Sequence, residues 1–386
     1  MEYHLGCIEC KKTFHDDSLY TCPSCNGLLE VAVDVGNADF KLDGKEIKVW
    51  KYRSLLPIRI EPITLFEGGT PLYSIRSDKE TKLFVKHEGL NPSGSFKDRG
   101  MTVGITKAVE LGKTRVVCAS TGNTSASMAM YSARAGLKAY VFLPSGKVAL
   151  GKLAQAIMHG AKVIAVRGNF DTALRIVREI CSRNDIYLLN SVNPFRLEGQ
   201  KTIAFEIVDQ LGYCPDAIYV PVGNAGNISA IFKGFKELKE AGYIDFIPRM
   251  IGVQAEGANP IFRAFSEGKN RITPVGNPET IATAIRIGSP VNARKALKAI
   301  YSSDGKVIQV SDDEIVRAQK ILAKQGIGVE PASASSFAGF MKDYEEFESA
   351  VCIATGNLLK DPEEAVRVSE KPIEVEPDLE IIEKLL

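Results

Sequence analysis

One lysine and two loops stand out in this 386-residue chain for the chemistry they could do together. In Asn91-Pro92-Ser93-Gly94-Ser95-Phe96-Lys97-Asp98-Arg99 a Pro/Gly turn leads into a helix whose first turn carries Lys97. A lysine there lies at the unfavourable end of the helix dipole, which destabilises its ammonium form. That environment suits an amine that must be neutral to attack a carbonyl and form a Schiff base. A solvated Lys97 paired with Asp98 would read the same way in isolation. The loop Gly223-Asn224-Ala225-Gly226-Asn227 follows a strand and opens a helix. Its glycines permit φ > 0 and close backbone approach, and the free amides of the helix start converge on one spot, which makes an anion cradle. It lacks the Lys-Ser/Thr of a P-loop and is not G-x-G-x-x-G, so it suits one phosphomonoester better than a triphosphate. An ordinary Gly-rich turn has the same letters. Ser120-Thr121-Gly122-Asn123-Thr124-Ser125 also joins a strand to a helix, and its four hydroxyls and one amide could wrap a carboxylate or simply cap the helix.

Together, a phosphate cradle, a carboxylate-binding loop and a helix-start lysine suggest pyridoxal phosphate holding an amino acid. A second signal lies at the N-terminus, where Cys7-x2-Cys10 and Cys22-x2-Cys25 are separated by eleven residues. Two such turns aim four thiolates at one point and suit tetrahedral Zn²⁺ in a structural site. Iron or two disulfides would use the same cysteines. Pro23, Asn26 and Gly27 supply the turn chemistry a knuckle needs. The remaining cysteines, Cys118, Cys181, Cys214 and Cys352, are scattered singly and read as small buried hydrophobes. Such ribbons often bind nucleic acid, but Lys11 and Lys12 are offset by Glu9, Asp16 and Asp17, and no basic face with interleaved aromatics is present. A structural clip fits better.

Net charge is +1, from 48 Lys+Arg against 47 Asp+Glu, so no long-range field steers anions and any phosphate site must be built locally. The start Met1-Glu2-Tyr3-His4 has no signal-peptide pattern, and no apolar run approaches the roughly 18 residues that span a bilayer. The expectation is a cytoplasmic protein with no membrane or nucleic-acid partner.

What must position the loops is an alternation of short apolar runs and helical patterns from about residue 82, the mark of an α/β fold with parallel sheet covered on both faces. Strands are predicted over Thr114–Ala119, Lys138–Leu143, Lys162–Arg167, Ile186–Asn190, Ala217–Val222, Met250–Gln254, Lys306–Val310 and Ala350–Ala354. Helices are predicted from the 120–125 loop through Arg134, over 149–159, from Asp171 to about Ser182, over 199–211, from the 223–227 loop to about Ala241, and after a capping box at Ser311 and Glu314.

The motifs quoted above, with Asn190-Ser191-Val192-Asn193-Pro194-Phe195-Arg196-Leu197-Glu198-Gly199-Gln200-Lys201-Thr202 and Thr355-Gly356-Asn357-Leu358-Leu359-Lys360-Asp361-Pro362, resemble those of the threonine synthase family. They run in order from Glu67-Gly68-Gly69-Thr70-Pro71 to Pro362, and the four-cysteine ribbon resembles an N-terminal extension of many members. The resemblance implies fold type II architecture: two open, mostly parallel sheets flanked by helices, plus a small zinc ribbon. The ribbon would span 1–45, a large cofactor-binding domain 46–87 and 191–386, and a small mobile domain 88–190. It implies that Lys97 carries pyridoxal 5'-phosphate covalently, that Asn123 bonds the cofactor's 3-hydroxyl, that Gly223, Asn224, Ala225, Gly226 and Asn227 hold its phosphate, and that Thr355 faces the pyridine nitrogen. Ser120, Thr121 and Thr124 would receive the substrate carboxylate, and Asn190, Ser191, Arg196 and Asn224 its phosphate. The implied enzyme is a carbon–oxygen lyase that turns O-phospho-L-homoserine and water into L-threonine and phosphate, as a homodimer. Asn357-Leu358-Leu359 departs from the family's more usual His-Gly, and Ser93 stands where Thr is commoner. Within the superfamily the nearest alternative is a cysteate synthase acting on phosphoserine and sulfite. From another class, it is a zinc-ribbon nucleic-acid-binding protein.

Overall fold

The computed structural model describes residues 2–36, 38–146, 150–167, 170–369, 372–377, 382–383 and 385. Its N-terminal module is an antiparallel sheet in the order β2-β1-β3, built from β1 (Tyr3–Cys7), β2 (Thr13–Phe14) and β3 (Leu29–Val33). Leu5, Leu29 and Val31 turn inward beside Cys7 and Cys22 and pack on Val103 and Phe195 of the body beneath. The body starts with β4 (Leu72–Ile75), antiparallel to β5 (Lys82–His87). There follow α1 (Lys97–Glu110), β6 (Arg115–Ala119), α2 (Asn123–Ala135), β7 (Lys138–Pro144), α3 (Leu150–Met158), β8 (Lys162–Val166), α4 (Phe170–Arg183) and β9 (Tyr187–Leu188). The chain returns through α5 (Pro194–Leu211), β10 (Ala217–Pro221), α6 (Gly226–Glu240), β11 (Arg249–Ala255), α7 (Pro260–Ser266), α8 (Ala293–Ser302), β12 (Lys306–Val310), α9 (Asp312–Lys324), α10 (Pro331–Lys342), β13 (Ser349–Ala354) and α11 (Pro362–Arg367).

Two sheets result. The order β8-β7-β6-β9 is wholly parallel, and β12-β11-β10-β13-β5-β4 is parallel except at β4. The expected α/β fold type II arrangement is present. Every residue of β10 and β13 is buried, because both faces of the larger sheet are covered. One face packs Ile218, Val220 and Val351 against α5, α6 and α8, and the other packs Tyr219, Val253 and Cys352 against α9 and α10. Ligand-binding loops of such sheets gather at the carboxyl ends of the strands, and here β6, β10 and β13 point their ends at one cleft.

Most expected elements form within a residue or two of the predicted bounds, including the Ser311–Glu314 capping box. Two differ. The strand expected over Ile186–Asn190 is only Tyr187–Leu188. The helix expected to start at 199 starts at Pro194, because Asn193 accepts from the amides of Phe195 and Arg196 and Pro194 fills the first helical position. Cys118 and Cys352 are buried as expected, whereas Cys181 and Cys214 are only partly so. Among the described residues no helix is long and apolar enough to cross a membrane.

Candidate active site

Three consecutive residues at the start of α1 go to three destinations. Arg99 is fully buried and doubly bonded to two carboxylates, with Nε and Nη2 reaching Glu88 at 2.5 and 2.7 Å and Nη1 and Nη2 reaching Glu206 at 2.6 and 2.8 Å. Asp98 accepts from Ser93 Oγ and Ser127 Oγ, both at 2.5 Å, and from the Ser93 amide at 2.6 Å. Asp98 is thereby occupied by hydroxyls and does not pair with Lys97. Burial pushes its carboxyl up to about 6 despite those bonds.

Lys97 is left to face the cleft, its Nζ 4.1 Å from the centre of the Phe96 ring. Its amine is lowered to about 7, first by burial and then by the Arg196 guanidinium, with Glu330 opposing. The expected direction is found: desolvation in a dry pocket is the leading cause, and the neighbouring Arg196 cation adds to it.

Across the cleft the 223–227 loop runs into α6. The sequence reading gave the left-handed conformation to its glycines, but it is Ala225 that has φ 64°, while Gly223 and Gly226 stay out of that region. Gly223 is required by space, since a Cβ there would meet Ala284 O and Ile285 Cα, each at 3.0 Å. Ala225 is the N-cap of α6 and offers no side-chain cap, so first-turn amides remain for a ligand. Both amide atoms of Asn227 are buried without a partner. Gly223, Asn224, Ala225, Gly226, Asn227, Asn123, Ser191, Arg196, Thr355 and Lys97 all line the same cleft.

Arg196 lies in the first turn of α5 and is 2 % exposed. Its Nη1 donates to Leu189 O at 3.0 Å while its Nε has no partner, and burial lowers it to about 10. A buried guanidinium with an idle donor is a poor resting arrangement and a good anion site. The Thr355 hydroxyl lies 3.0 Å from Ser333 Oγ, whose position is fixed in turn by the Gly356 amide at 2.7 Å.

Not every expected residue reaches the cleft. Asn190 does not line it: its Oδ1 accepts from Ala119 N and its Nδ2 donates to Ala119 O, both at 2.9 Å. The side chain thus continues the β6 ladder where the β9 backbone leaves it, one residue after the Leu189 amide bonds Val117 O at 2.9 Å. Leu189 O is freed by the same departure and takes the Arg196 guanidinium. Of the 120–125 loop only Asn123 lines the cleft, while Ser120, Thr121 and Thr124 are half-buried beside it, Ser120 Oγ accepting from Gly122 N at 3.3 Å.

The sequence reading missed Glu330. It precedes Pro331 at the start of α10, lies on the cleft wall and accepts from Asn123 Nδ2 at 3.1 and 3.2 Å. Burial raises its carboxyl to about 7. The Glu-Pro pair at a helix start was its only sequence signal. Asn292 was also missed; its Nδ2 donates to Ser191 O and its amide to Asn224 O, tying two cleft loops together.

An electrophilic ring carrying one phosphate fits this set: a depressed amine, an uncapped helix start with an unpartnered Asn227, and polar groups from both sheets. The atom-free space around these groups, its opening to solvent included, is about 670 Å³. In the ribbon, the Cys7, Cys10, Cys22 and Cys25 sulfurs all lie within 4.8 Å of one another, with Cys7–Cys25 at 3.5 Å and Cys10–Cys22 at 3.6 Å. Those separations are far beyond a disulfide and near the ~3.8 Å between ligands around a tetrahedral zinc with ~2.3 Å bonds. The donor set fits such a metal.

The sequence profile of the pyridoxal-phosphate-dependent enzyme family matches residues 63–356. Curated threonine synthases from Methanosarcina acetivorans and Methanocaldococcus jannaschii are 56 % and 58 % identical, over 100 % and 98 % of this chain and 98 % of each of theirs. Among solved structures, threonine synthase from Escherichia coli superposes with TM-score 0.74 at 16 % identity, over 98 % of this chain and 94 % of that one. Threonine deaminase isoform 2 from Solanum lycopersicum gives 0.65 at 23 % identity over 78 % and 83 %, a likeness of fold. With a buried amine, an anion cradle and the family's motifs in one cleft, the chain belongs to the threonine synthase family of pyridoxal-phosphate-dependent enzymes.

Proposed function

We propose that the protein converts O-phospho-L-homoserine and water to L-threonine and phosphate in this cleft, with pyridoxal phosphate held by Lys97. The observation that carries the reading is the pairing of a depressed Lys97 amine with Arg196, whose buried guanidinium keeps an idle donor on the same cavity. Bound pyridoxal phosphate supplies an electron sink, so that protons can leave the carbons of the amino acid it holds. Lys97, freed when the substrate's amino group replaces it on the cofactor, would take those protons and return them, since a free amine near neutral pKa does both. The Gly223–Asn227 loop holds the cofactor phosphate with helix-start amides. Asn123 would bond the ring's 3-hydroxyl, and the Thr355 hydroxyl, which lies 3.0 Å from Ser333 Oγ, would serve the ring nitrogen. Ser120, Thr121 and Thr124, half-buried beside the cleft, would meet the substrate carboxylate as the small domain closes. Arg196, with Ser191 and Asn224, binds the substrate phosphate and steadies it as it departs, before water adds at the β-carbon. Asn190 acts at one remove, by fixing the backbone next to Arg196.

Residues 88–190 form the small domain; its sheet, β6–β9, opens and closes on 46–87 and 191–386 while α1 stays tied to α5 through Arg99 and Glu206, and closure excludes water until the hydrating molecule is wanted. The ribbon, residues 1–45, holds a structural zinc on its four cysteines. The working form is a cytoplasmic homodimer whose partner is a phosphorylated amino acid. The deciding experiment records the visible spectrum of the purified protein with pyridoxal phosphate, then measures phosphate release from phosphohomoserine and phosphoserine side by side. A visible cofactor band with threonine formed from the first supports the proposal. Turnover confined to phosphoserine with sulfite, or wild-type turnover by Lys97→Ala, overturns it.

A further inference from the structure

Glu330 is a buried carboxylate on the wall of a cleft otherwise built to hold anions. Its backbone amide donates to Gly356 O at 3.1 Å, which seats the residue at the head of α10. The carboxylate occupies the space a Gly356 side chain would need, since a Cβ there would lie 2.5 Å from Oε1. Among the described residues, Asn123 alone donates hydrogen bonds to it, at 3.1 and 3.2 Å. Four other groups face it by charge or contact. Lys97 on α1 and Lys360 beyond β13 attract it through space, Asp361 repels it, and Gly356 closes over it. Lys360 is itself bonded to Ser93 O at 3.0 Å and to Gln155 Oε1 at 2.5 Å. The carboxylate is thus served by one neutral amide from the opposite sheet's α2.

An ionised carboxylate only accepts hydrogen bonds, whereas an amide has a donor end and an acceptor end. Glu330 therefore settles which end Asn123 turns toward it, and with that which groups Asn123 keeps for the cleft. We propose that Glu330 is a positioning residue for Asn123: its carboxylate fixes the amide across the cleft so that the second N–H remains a donor toward the cofactor ring. The inference rests on the reading of the cleft as a pyridoxal phosphate site. The carboxyl is pushed up to about 7 by burial, so protonation falls in the working range. Once protonated, Glu330 can donate, the amide can turn over, and the cleft is then offered a carbonyl.

The test is a pH titration of the visible absorption of the pyridoxal-phosphate-loaded protein without substrate, for wild type, Glu330→Gln, Asn123→Ala and the double variant. Glu330→Gln keeps the side chain's shape but has a donor of its own. Its spectral midpoint should move by about one pH unit, a tenfold change in the proton affinity of the bound chromophore. Asn123→Ala should also move it, and the double variant should move no further than the larger single shift, because the two act as one unit. kcat should fall about tenfold while KM for the phosphorylated substrate stays within about threefold. Gly356→Ala gives an independent check, since its methyl displaces the carboxylate without removing it and should reproduce the shift. Superimposable titrations of wild type and Glu330→Gln, or shifts that add in the double variant, overturn the proposal. A wild-type protein with no visible band after incubation with pyridoxal phosphate would instead refute the cofactor assignment.

Discussion

Asn190→Ala separates substrate contact from support, because the motif in which Asn190 lies suggests the first and its bonds give the second. Its amide makes two 2.9 Å bonds to the N–H and C=O of Ala119, at a site where Asn190 is 8 % and Ala119 2 % exposed. Truncation removes both bonds and strands two buried backbone groups, worth about 2–4 kcal/mol in total. If the chain unfolds as one unit, an unfolding entropy of about 2.1 cal/mol/K per residue turns that into a drop in Tm of about 2–5 °C. Calorimetry or urea unfolding of the cofactor-free protein measures it directly. Arg196→Ala should do the reverse. It removes a buried charge that has an idle donor and one carbonyl partner, so stability should change little, whereas losing charge-assisted bonds to a phosphate should raise KM about a hundredfold. If Asn190→Ala keeps wild-type stability and raises KM as Arg196→Ala does, the amide faces the substrate and the ladder argument is wrong.

Other outcomes follow from the same geometry. In the cofactor-free protein, Glu330 has a folded pKa raised to about 7, so the folded state binds more protons between the ordinary carboxylate range and pH 7. Its contribution to stability should therefore fall by about 3 kcal/mol as pH rises through that window, and Glu330→Gln should reduce the slope by that amount in urea titrations at successive pH values, leaving the part that Asp98, raised to about 6, contributes below it. Lys97 works in the opposite sense: its folded pKa is lowered to about 7, so the unfolded state binds more protons from there up to the ordinary lysine range, and stability should rise with pH across it. Lys97→Met should flatten that rise. Gly199→Ala would put a methyl 1.7 Å from Arg99 O where α1 and α5 cross, so it should destabilise by about 3 kcal/mol or more, read as a lower urea midpoint. With metal on the ribbon's four cysteines, as proposed, a chelator should loosen the module, whose own core is only Leu5, Leu29 and Val31 beside Cys7 and Cys22, and lower Tm, as should Cys22→Ser, while the visible spectrum of the loaded protein persists.

The sheets were legible because β6, β7, β10, β12 and β13 are short apolar runs between Gly, Asn and Ser loops, a pattern that depends on local residues alone. Lys97 and the 223–227 loop were legible for a similar reason, since an amine or a Gly-rich turn at a helix start has meaning in isolation. The early start of α5 was missed because its cap, Asn193, hides inside a motif read for substrate contact. The α10 helix escaped because Pro331-Ala332-Ser333-Ala334-Ser335-Ser336 is buried all round and shows no amphipathic stripe. Glu330 and the true partners of Asn190 could not be read at all. Each is defined by a contact with a residue far away in sequence, Asn123 for one and Ala119 for the other, and a lone Glu or Asn carries no mark of such a partner.

Next to the cleft, α1 and its neighbours carry buried polar groups whose hydrogen bonds are fully made. Arg99 engages Glu88 and Glu206 with all three nitrogens, and Asp98 has three donors on its carboxylate. Buried Glu67 is likewise met by Trp50 Nε1, Tyr131 Oη and the Leu65 amide. These saturated networks hold α1, α2 and α5 rigid, because a buried polar group with all its bonds made resists any movement that would break one. On the cleft itself Arg196 Nε, Gln200 Oε1 and both amide atoms of Asn227 are buried with no partner, and of the partnerless buried atoms among the described residues, which also include Ser95 Oγ, His87 Nδ1 and Tyr187 Oη elsewhere, these four face the space a ligand would fill. Each carries a desolvation penalty that an entering ligand relieves, so the frame stores the mismatch and the ligand removes it. A site arranged in this way gains most from an anion that reaches several of those groups at once, which is the physical reason a phosphate-bearing cofactor and a phosphate-bearing substrate can share one small cavity.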